Sequence, residues 1–201
     1  HLKFEHDECG SYIFNSNDLC MIEHIPELIE AGINSFKIEG RIKGEFYVAS
    51  VTQAYRQAID RYFQNPKQYI MDEEWKSILE RTVHRAFSTG FFFDRPEDEA
   101  QIFADHTYYK PAFVVGLVLD YDPISKRAKI KQKNKVIQGD LLRVLKPGAT
   151  VSYIHALDMR DEDNQSIESA PHAGMIFSIH CSEVLTPYTY LSKDGNKDNG
   201  C

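Results

Sequence analysis

The segment at residues 36–41, with the sequence FKIEGR, alternates apolar and charged side chains. Successive side chains of a β-strand point to opposite faces, so a strand here places Lys37 and Glu39 together, opposite the apolar pair. If the apolar pair packs under the following helix, the charged pair is expected to face the inside of the sheet or barrel. Arg41 then follows the carboxyl end of the strand, where α/β barrels carry their chemistry, and its guanidinium can hold a carboxylate or phosphate through two hydrogen bonds. Two interpretations stay open: a ligand-binding or catalytic set, or an internal ion network that fixes the strand end.

Cys20 is the other candidate for chemistry in the first half of the chain. A thiol beside a loop can be an iron–sulfur ligand, a nucleophile or an inert small apolar group. Cys9, Cys181 and Cys201 do not lie at ligand spacing from it, and the sequence has no CxxC pair. A ligand role for Cys20 therefore requires partners upstream of residue 1, and the scattered thiols are typical of a reducing compartment.

The sequence offers no local support for peptidase chemistry. It contains neither a GxSxG nucleophile elbow nor an HExxH zinc helix. His24, His84 and His155 are isolated from one another, and each is interpreted as a packing or surface residue.

A row of cations occupies alternate positions between residues 127 and 135. On a strand, these side chains share one face at a spacing of about 6–7 Å. Such a row can follow the backbone of a nucleic acid, and lysine on an exposed strand can equally guard a sheet edge against association with another chain. The predicted nucleic-acid-binding residues are Arg127, Lys129, Lys131, Lys133 and Lys135.

Helical periodicity dominates the first half of the chain. A short helix is predicted from Pro26 to a stop at Gly32, and a long helix over residues 44–64. Asp72 is predicted to cap a third helix whose last turn contains His84.

Two strands are predicted in the same half, at residues 11–15 and 34–38. The order of helix, strand, glycine break and long helix is that of a parallel-sheet α/β fold. One clear buried strand is too few for such a sheet. We therefore interpret residues 1–105 as the C-terminal part of an α/β catalytic domain.

Short alternating runs separated by Gly and Pro characterise the second half. They predict a small all-β barrel at residues 106–192, followed by a mobile tail at 193–201. The predicted strands are residues 112–119, 128–136, 141–145, 151–157 and 175–179.

Composition is that of a folded protein. Apolar residues make up 42% of the chain, and the net charge of −7 argues against a uniformly basic nucleic-acid binder while allowing a local basic strip. No apolar run is long enough to span a membrane. The chain opens with His1 and shows no signal peptide, so we expect a fragment or processed product of a cytoplasmic protein.

Several blocks of the sequence, in order, resemble one bacterial family. That family is the collagenase-like peptidases, family 32 of the unassigned (U) class. The second half of the chain is similar to the family's C-terminal barrel, which resembles translation-factor barrels in shape. The matching blocks are residues 10–19 (GSYIFNSNDL), 36–41 (FKIEGR), 51–60 (VTQAYRQAID) and 84–91 (HRAFSTGF).

This resemblance implies an incomplete TIM-like barrel as the main domain, most of it upstream of His1. The complete protein is then an enzyme, and this part alone is expected to be inactive. Members of the family act in prephenate-dependent hydroxylation of the wobble uridine of tRNA, and relatives act on ribosomal RNA or in oxygen-independent ubiquinone hydroxylation. The implied partners are tRNA, a prephenate-like small carboxylate and the upstream part of the chain's own catalytic domain, with no membrane.

The resemblance also implies roles for single residues. Arg41 and Lys37 are implied to bind the substrate carboxylate, with Glu39 as the catalytic group that orients them. An iron–sulfur cluster is implied in the full-length protein, its ligands mostly upstream and Cys20 a candidate ligand. Two alternatives are kept: a collagenase-like protease of unknown catalytic type, and a non-catalytic binding module.

Overall fold

The structure, a computed structural model, describes residues 17–93 and 112–194, together with the backbone of two short strands before them. These strands, Phe4–Asp7 (β1) and Gly10–Ile13 (β2), pair as an antiparallel hairpin. The second of them overlaps the strand predicted at residues 11–15. Most of the predicted tail lies outside the described residues.

Two compact units make up the chain, and they interleave in sequence. The first comprises residues 1–37 and 54–110, and the second comprises residues 38–53 and 111–201. The long helix, Glu45–Gln64, therefore contributes its beginning to the second unit and its remainder to the first.

Helices form most of the first unit. Pro26 lies in the first turn of the first helix, and Gly32 follows its end at a φ of 85°, which glycine adopts without strain. Asp72 caps the third helix, because its carboxylate accepts a hydrogen bond from the backbone N–H of Glu74 at 3.0 Å. These predicted starts and stops are confirmed. The helices are Ile25–Glu30 (α1), Glu45–Gln64 (α2) and Glu73–Glu80 (α3).

The third helix is shorter than predicted. It ends at Glu80, so His84 lies beyond it rather than in its last turn. Its buried side is formed by Trp75, Ile78 and Leu79, each at most 3% exposed. Trp75 also donates its indole N–H to the Gln57 side chain of α2 at 3.1 Å, which fixes the two helices together within the unit.

The strand predicted at residues 34–38 is not formed. Residues 33–40 have no regular secondary structure, since no neighbouring strand in the described part of the chain pairs with them. The parallel pairing described in this unit joins Asp18–Leu19 (β3) to Phe87–Ser88 (β4). The expected TIM-like barrel is therefore not visible in the described residues.

An antiparallel sheet of seven strands dominates the second unit, confirming its all-β character. The strands of this unit are Phe113–Asp122 (β5), Arg127–Gln132 (β6), Val136–Ile137 (β7), Leu141–Leu145 (β8), Ser152–His155 (β9), Leu157–Arg160 (β10), Ser169–Ala170 (β11), Ile176–His180 (β12) and Tyr190–Lys193 (β13). The strand order of the sheet is β10-β12-β6-β5-β13-β8-β9, and β7 pairs with β11 in a separate ribbon.

The seven-stranded sheet curls into a half-barrel and is not closed by hydrogen bonds. Its two edge strands, β9 and β10, are consecutive in sequence and separated only by Ala156, so the edges approach through the chain itself. Ala156 is fully buried, and its N–H donates to the Asp140 carbonyl at 2.9 Å. The strand predicted at residues 151–157 is therefore divided at Ala156 into β9 and the start of β10. In a closed barrel, the two edge strands would instead be joined by hydrogen bonds.

The concave side of this sheet holds the core of the second unit. Leu142 and Val144 point inward from β8, and Phe177 points inward from β12 opposite Ile130 of β6. Gly116 permits this packing, since a Cβ atom there would lie 2.4 Å from Cγ2 of Ile130. The close approach of β5 to Ile130 requires a residue without a side chain.

The beginning of α2 packs on the outer face of strand β13. Phe46 contacts the Tyr190 ring edge-on at a centroid distance of 5.7 Å, and the Tyr190 hydroxyl donates to Glu45 at 3.2 Å. Farther along the helix, the Gln53 amide donates to the Ala149 carbonyl at 2.8 Å. These contacts hold the segment that leads into α2, and with it Arg41, within the second unit.

Candidate substrate and nucleic-acid sites

The side chains of Lys37, Glu39 and Arg41 are exposed, so the inward placement predicted for Lys37 and Glu39 is not seen in the described residues. Phe36 and Ile38 are half-buried, so the alternation expected of a strand persists in the exposure of the side chains even without ladder hydrogen bonds. Among the described residues, no ion pair involves any of the three charged side chains. The alternative of an internal ion network finds no support here.

A tight turn positions Arg41. Its backbone N–H donates to the Glu39 carboxylate at 2.9 Å, and the N–H of Lys43 donates to the Gly40 carbonyl at 3.0 Å. A Cβ atom on Gly40 would approach the Val48 side chain to 3.0 Å, so the glycine lets the turn lie against α2. Glu39 therefore shapes the turn that presents the Arg41 guanidinium to solvent.

Arg127, Lys129 and Lys131 lie on β6, in the interior of the sheet between β12 and β5. The single strand predicted at residues 128–136 is not formed, because the chain bends after Gln132, and Lys133 and Lys135 lie in this bent segment before β7. Ala128, Ile130 and Gln132 are buried in the core, so the cations between them point to the outer face. An interior strand has both of its backbone edges paired, so protection of a free sheet edge does not explain the row.

Arg127 is held by its neighbours at one end of the row. Its guanidinium donates to the Asp158 carboxylate at 2.6 Å and to the Ser178 hydroxyl at 3.1 and 3.2 Å. Together with the adjacent Arg160, it lowers the pKa of the Asp158 carboxyl, with Arg160 the larger cause. Arg127 therefore ties β6 to β10 and β12, and its charge is compensated.

Lys129 lies beside acidic groups. It lines an open groove of about 340 Å³ together with Asp120, Asp122, Asp161 and Glu162, among others. Asp120 is also its register partner on β5. The positive potential of this end of the row is therefore largely cancelled.

The other end of the row, Lys131, Lys133 and Lys135, has different neighbours. Lys131 is opposite Leu117 on β5 and Ile176 on β12, neither of which carries charge. Lys133 forms an exposed pair with Glu45 at 3.6 Å. In the described part of the chain, neither Lys131 nor Lys135 makes an ion pair.

Cys20 follows β3 and is half-buried against α2. Its N–H donates to the Ser88 carbonyl at 2.9 Å, while the Tyr55 hydroxyl lies 3.9 Å from its sulfur and accepts a hydrogen bond from the N–H of Met21. Burial raises the pKa of the Cys20 thiol, which opposes a nucleophilic role at neutral pH. Within the described residues, no group of three His, Cys, Asp or Glu side chains is placed to hold a metal ion.

The histidines occupy packing and surface positions, as predicted. His84 is buried and stacks on Phe87 at a centroid distance of 4.0 Å, with its ring nitrogens facing backbone carbonyls. His24 contacts the Phe93 ring and pairs with Glu27. His155 is exposed at the end of β9.

We predict that Cys181 of the native chain resists alkylation at pH 8. It is 6% exposed, and burial raises its pKa from 9.0 to about 11, which leaves roughly 100-fold less thiolate than an ordinary thiol has. Iodoacetamide labelling followed by peptide mass spectrometry measures this. Labelling of the urea-unfolded chain, where both Cys20 and Cys181 react fully, is the control. Native labelling of Cys181 at the unfolded rate would contradict the described core.

Comparison with known proteins identifies the family of the chain. The family model described as "Peptidase family U32" matches residues 2–102, and the model "Peptidase family U32 C-terminal domain" matches residues 112–191. The chain therefore belongs to peptidase family U32, as the FKIEGR segment and the three other matching sequence blocks indicated.

The curated relatives carry two kinds of name. The "tRNA hydroxylation protein P1" of Bacillus subtilis is 32% identical over 93% of this chain and 44% of its own length. The "tRNA hydroxylation protein P" of Escherichia coli is 33% identical over 73% of this chain and 32% of its own length. A protein named "Collagenase" from Porphyromonas gingivalis is 33% identical over 41% of this chain and 23% of its own length. The chain thus spans less than half the length of these relatives.

Solved structures of a U32 C-terminal domain are also similar to the chain. One, from Geobacillus thermoleovorans, is 28% identical, covers 42% of this chain and 93% of its own, and has a TM-score of 0.39. No helix in the described ranges is long and apolar enough to cross a membrane.

Proposed function

We propose that the chain is the C-terminal part of an enzyme that hydroxylates tRNA at the wobble uridine. The observation that supports this most directly is the 32% identity to the Bacillus subtilis tRNA hydroxylation protein P1, because the alignment covers 93% of the chain and so includes both of its units. A match to the barrel-like unit alone would carry less weight, since folds host many functions.

Arg41 and Lys37 bind the carboxylate of a prephenate-like co-substrate in this proposal. The support is that both cations are exposed and that no ion pair among the described residues neutralises them. Glu39 accepts the backbone N–H of Arg41, so its carboxylate fixes the turn that carries the guanidinium. Its proposed role is to orient the two cations and to act as the catalytic carboxylate.

The described residues do not provide a site for an iron–sulfur cluster. Cys20 is a single half-buried thiol with a raised pKa, whereas cluster ligands are thiolates that occur in sets. No group of three possible ligands is placed to hold a metal in the described part of the chain. If the complete enzyme holds a cluster, most of its ligands lie outside these residues, Cys20 stays a candidate for one of them, and we derive no step from the cluster.

Peptidase activity is the second candidate, because a relative is named Collagenase and the family carries the peptidase name. A cysteine peptidase needs a thiolate beside a general base. The Cys20 sulfur instead accepts a hydrogen bond from the Tyr55 hydroxyl, at 3.9 Å, and burial raises the thiol pKa rather than lowering it. The surroundings of Cys20 therefore give no support to a cysteine peptidase centred on this residue.

We expect deletion of the complete gene to abolish hydroxylated wobble uridine in total tRNA, and complementation to restore it. Mass spectrometry of nucleosides from deletion, complemented and parent strains measures this. A protein that ends at residue 111 tests the contribution of the strands that follow, which make up most of the second unit. Unchanged nucleosides in the deletion strain would refute the proposed function and leave peptidase activity as the candidate to assay.

A further inference from the structure

We propose that Lys131, Lys133 and Lys135, here called the lysine end, bind the phosphate backbone of RNA and lead it towards the segment that carries Arg41. This inference rests on the proposed function, since it specifies how the tRNA substrate is held. It limits the predicted RNA-binding residues to the lysine end, because protein carboxylates compensate the charges of Arg127 and Lys129.

The difference between the two halves follows from their register partners. Arg127 is bound by Asp158, and Lys129 lies opposite Asp120 in a groove with further carboxylates. A phosphate approaching these two cations meets negative charge at short range. Lys131 instead has the uncharged side chains of Leu117 and Ile176 on either side.

The charge of the lysine end is available to a ligand. Lys131, Lys133 and Lys135 are all exposed. Within residues 17–93 and 112–194, the one ion pair they make joins Lys133 to Glu45, whose side chain is 74% exposed. A pair this exposed is worth about 1 kcal/mol or less, so a phosphate can replace the carboxylate at little cost. Lys131 lies near the end of β6, and Lys133 and Lys135 follow in the bent segment between β6 and β7. Three exposed cations therefore lie within five residues of chain and can neutralise neighbouring phosphates.

The lysine end lies next to the beginning of α2. Glu45 accepts the Tyr190 hydroxyl at 3.2 Å and lies 3.6 Å from the Lys133 ammonium, all within the second unit. Arg41 precedes Glu45 by four residues and belongs to the same unit. RNA that follows the lysine end therefore reaches the region of the proposed carboxylate-binding residue.

RNA is the partner that this surface fits best. No carboxylate lies in register with Lys131 on the two strands that flank it, whose register partners are Leu117 and Ile176. Contacts of this kind neutralise phosphates without reading bases, so they position an RNA whose specificity is set elsewhere. Binding should then weaken steeply as salt rises.

The test compares two pairs of substitutions in the full chain, each removing two exposed lysine charges from the second unit. The test pair is Lys131→Gln with Lys135→Gln, and the matched control is Lys126→Gln with Lys129→Gln. Binding of fluorescently labelled total tRNA is measured by anisotropy across a salt series. The test pair is expected to weaken binding about 10-fold and to flatten the slope of log K against log salt by about 1.4, whereas the control changes affinity by less than about 2-fold.

Equal losses in both pairs, or binding by the unmodified chain that is independent of salt, would overturn the assignment. Preference for anionic vesicles or an acidic peptide over tRNA would overturn it in favour of another partner. Binding requires no hydroxylation chemistry, so unchanged nucleosides in the deletion strain would refute the proposed function without affecting this result. Conversely, equal losses of tRNA affinity in the two pairs of variants would not affect the outcome of the hydroxylation experiment.

Discussion

Replacing Arg41 with alanine in the complete protein is expected to lower tRNA hydroxylation on the order of 100-fold. A guanidinium that binds a carboxylate through two charge-assisted hydrogen bonds contributes roughly 2–3 kcal/mol, which corresponds to this loss in rate at subsaturating co-substrate. The effect should appear chiefly as a higher KM for the prephenate-like carboxylate. Nucleoside mass spectrometry in cells and a titration of the co-substrate in vitro measure it.

The stability of the protein is not expected to change in the Arg41→Ala variant. Arg41 is exposed, and its side chain makes no ion pair among the described residues, so its removal opens no cavity and leaves no buried charge. Arg41→Lys keeps the charge but loses the planar fork, and an intermediate activity is expected. Arg56→Ala is the matched control, because Arg56 is an exposed arginine on α2 that pairs with the exposed Asp60. Full hydroxylation by the alanine variant would remove Arg41 from the site.

The strands of the second unit were largely predictable from the sequence. In β6, buried Ala128, Ile130 and Gln132 alternate with outward cations, and this period of two is what a sheet with one core face imposes. Strand β13 was not predicted, although it lies between β5 and β8 in the sheet. Its four residues, YLSK, include two polar side chains, yet Ser192 is buried. The central position of β13 depends on its pairing with distant strands, so the local sequence carries no pattern that predicts it.

The FKIEGR segment shows the opposite limit. Its alternating pattern predicts a strand, and the side-chain exposures follow that pattern, but a strand also requires a neighbour to exchange hydrogen bonds with. The segment has no such neighbour in the described residues. The local alternation determines which side chains share a face, whereas strand pairing depends on residues that are distant in the sequence.

The candidate sites were predicted by residue type but not by environment. The cationic row was visible in the sequence, whereas its interior place in the sheet and the carboxylates around Arg127 and Lys129 depend on which strands pair. The contact of Lys133 with Glu45 joins positions that are 88 residues apart. No local pattern indicates such a contact, and it is the observation that connects the lysine end with Arg41.

Replacing Phe177 with alanine is expected to destabilise the second unit by roughly 3–5 kcal/mol. Phe177 is 1% exposed at the centre of the half-barrel, opposite Ile130 and on the strand whose Ser178 accepts hydrogen bonds from Arg127. The truncation leaves a cavity that the curled sheet can fill only by shifting β12 or β6. Because a domain of this size has a total stability of about 5–15 kcal/mol, the loss is a large fraction of it.

Urea denaturation followed by circular dichroism measures this change, and an unchanged m-value shows that the unfolded states are comparable. Phe113→Ala is the matched control, since Phe113 lies in the same sheet but is 50% exposed, and a loss of less than about 1 kcal/mol is expected. Equal losses in the two variants would contradict the described core. Because β12 also flanks Lys131, a Phe177 variant that still folds at low temperature should bind tRNA more weakly on heating, as the strand that frames the lysine end unfolds.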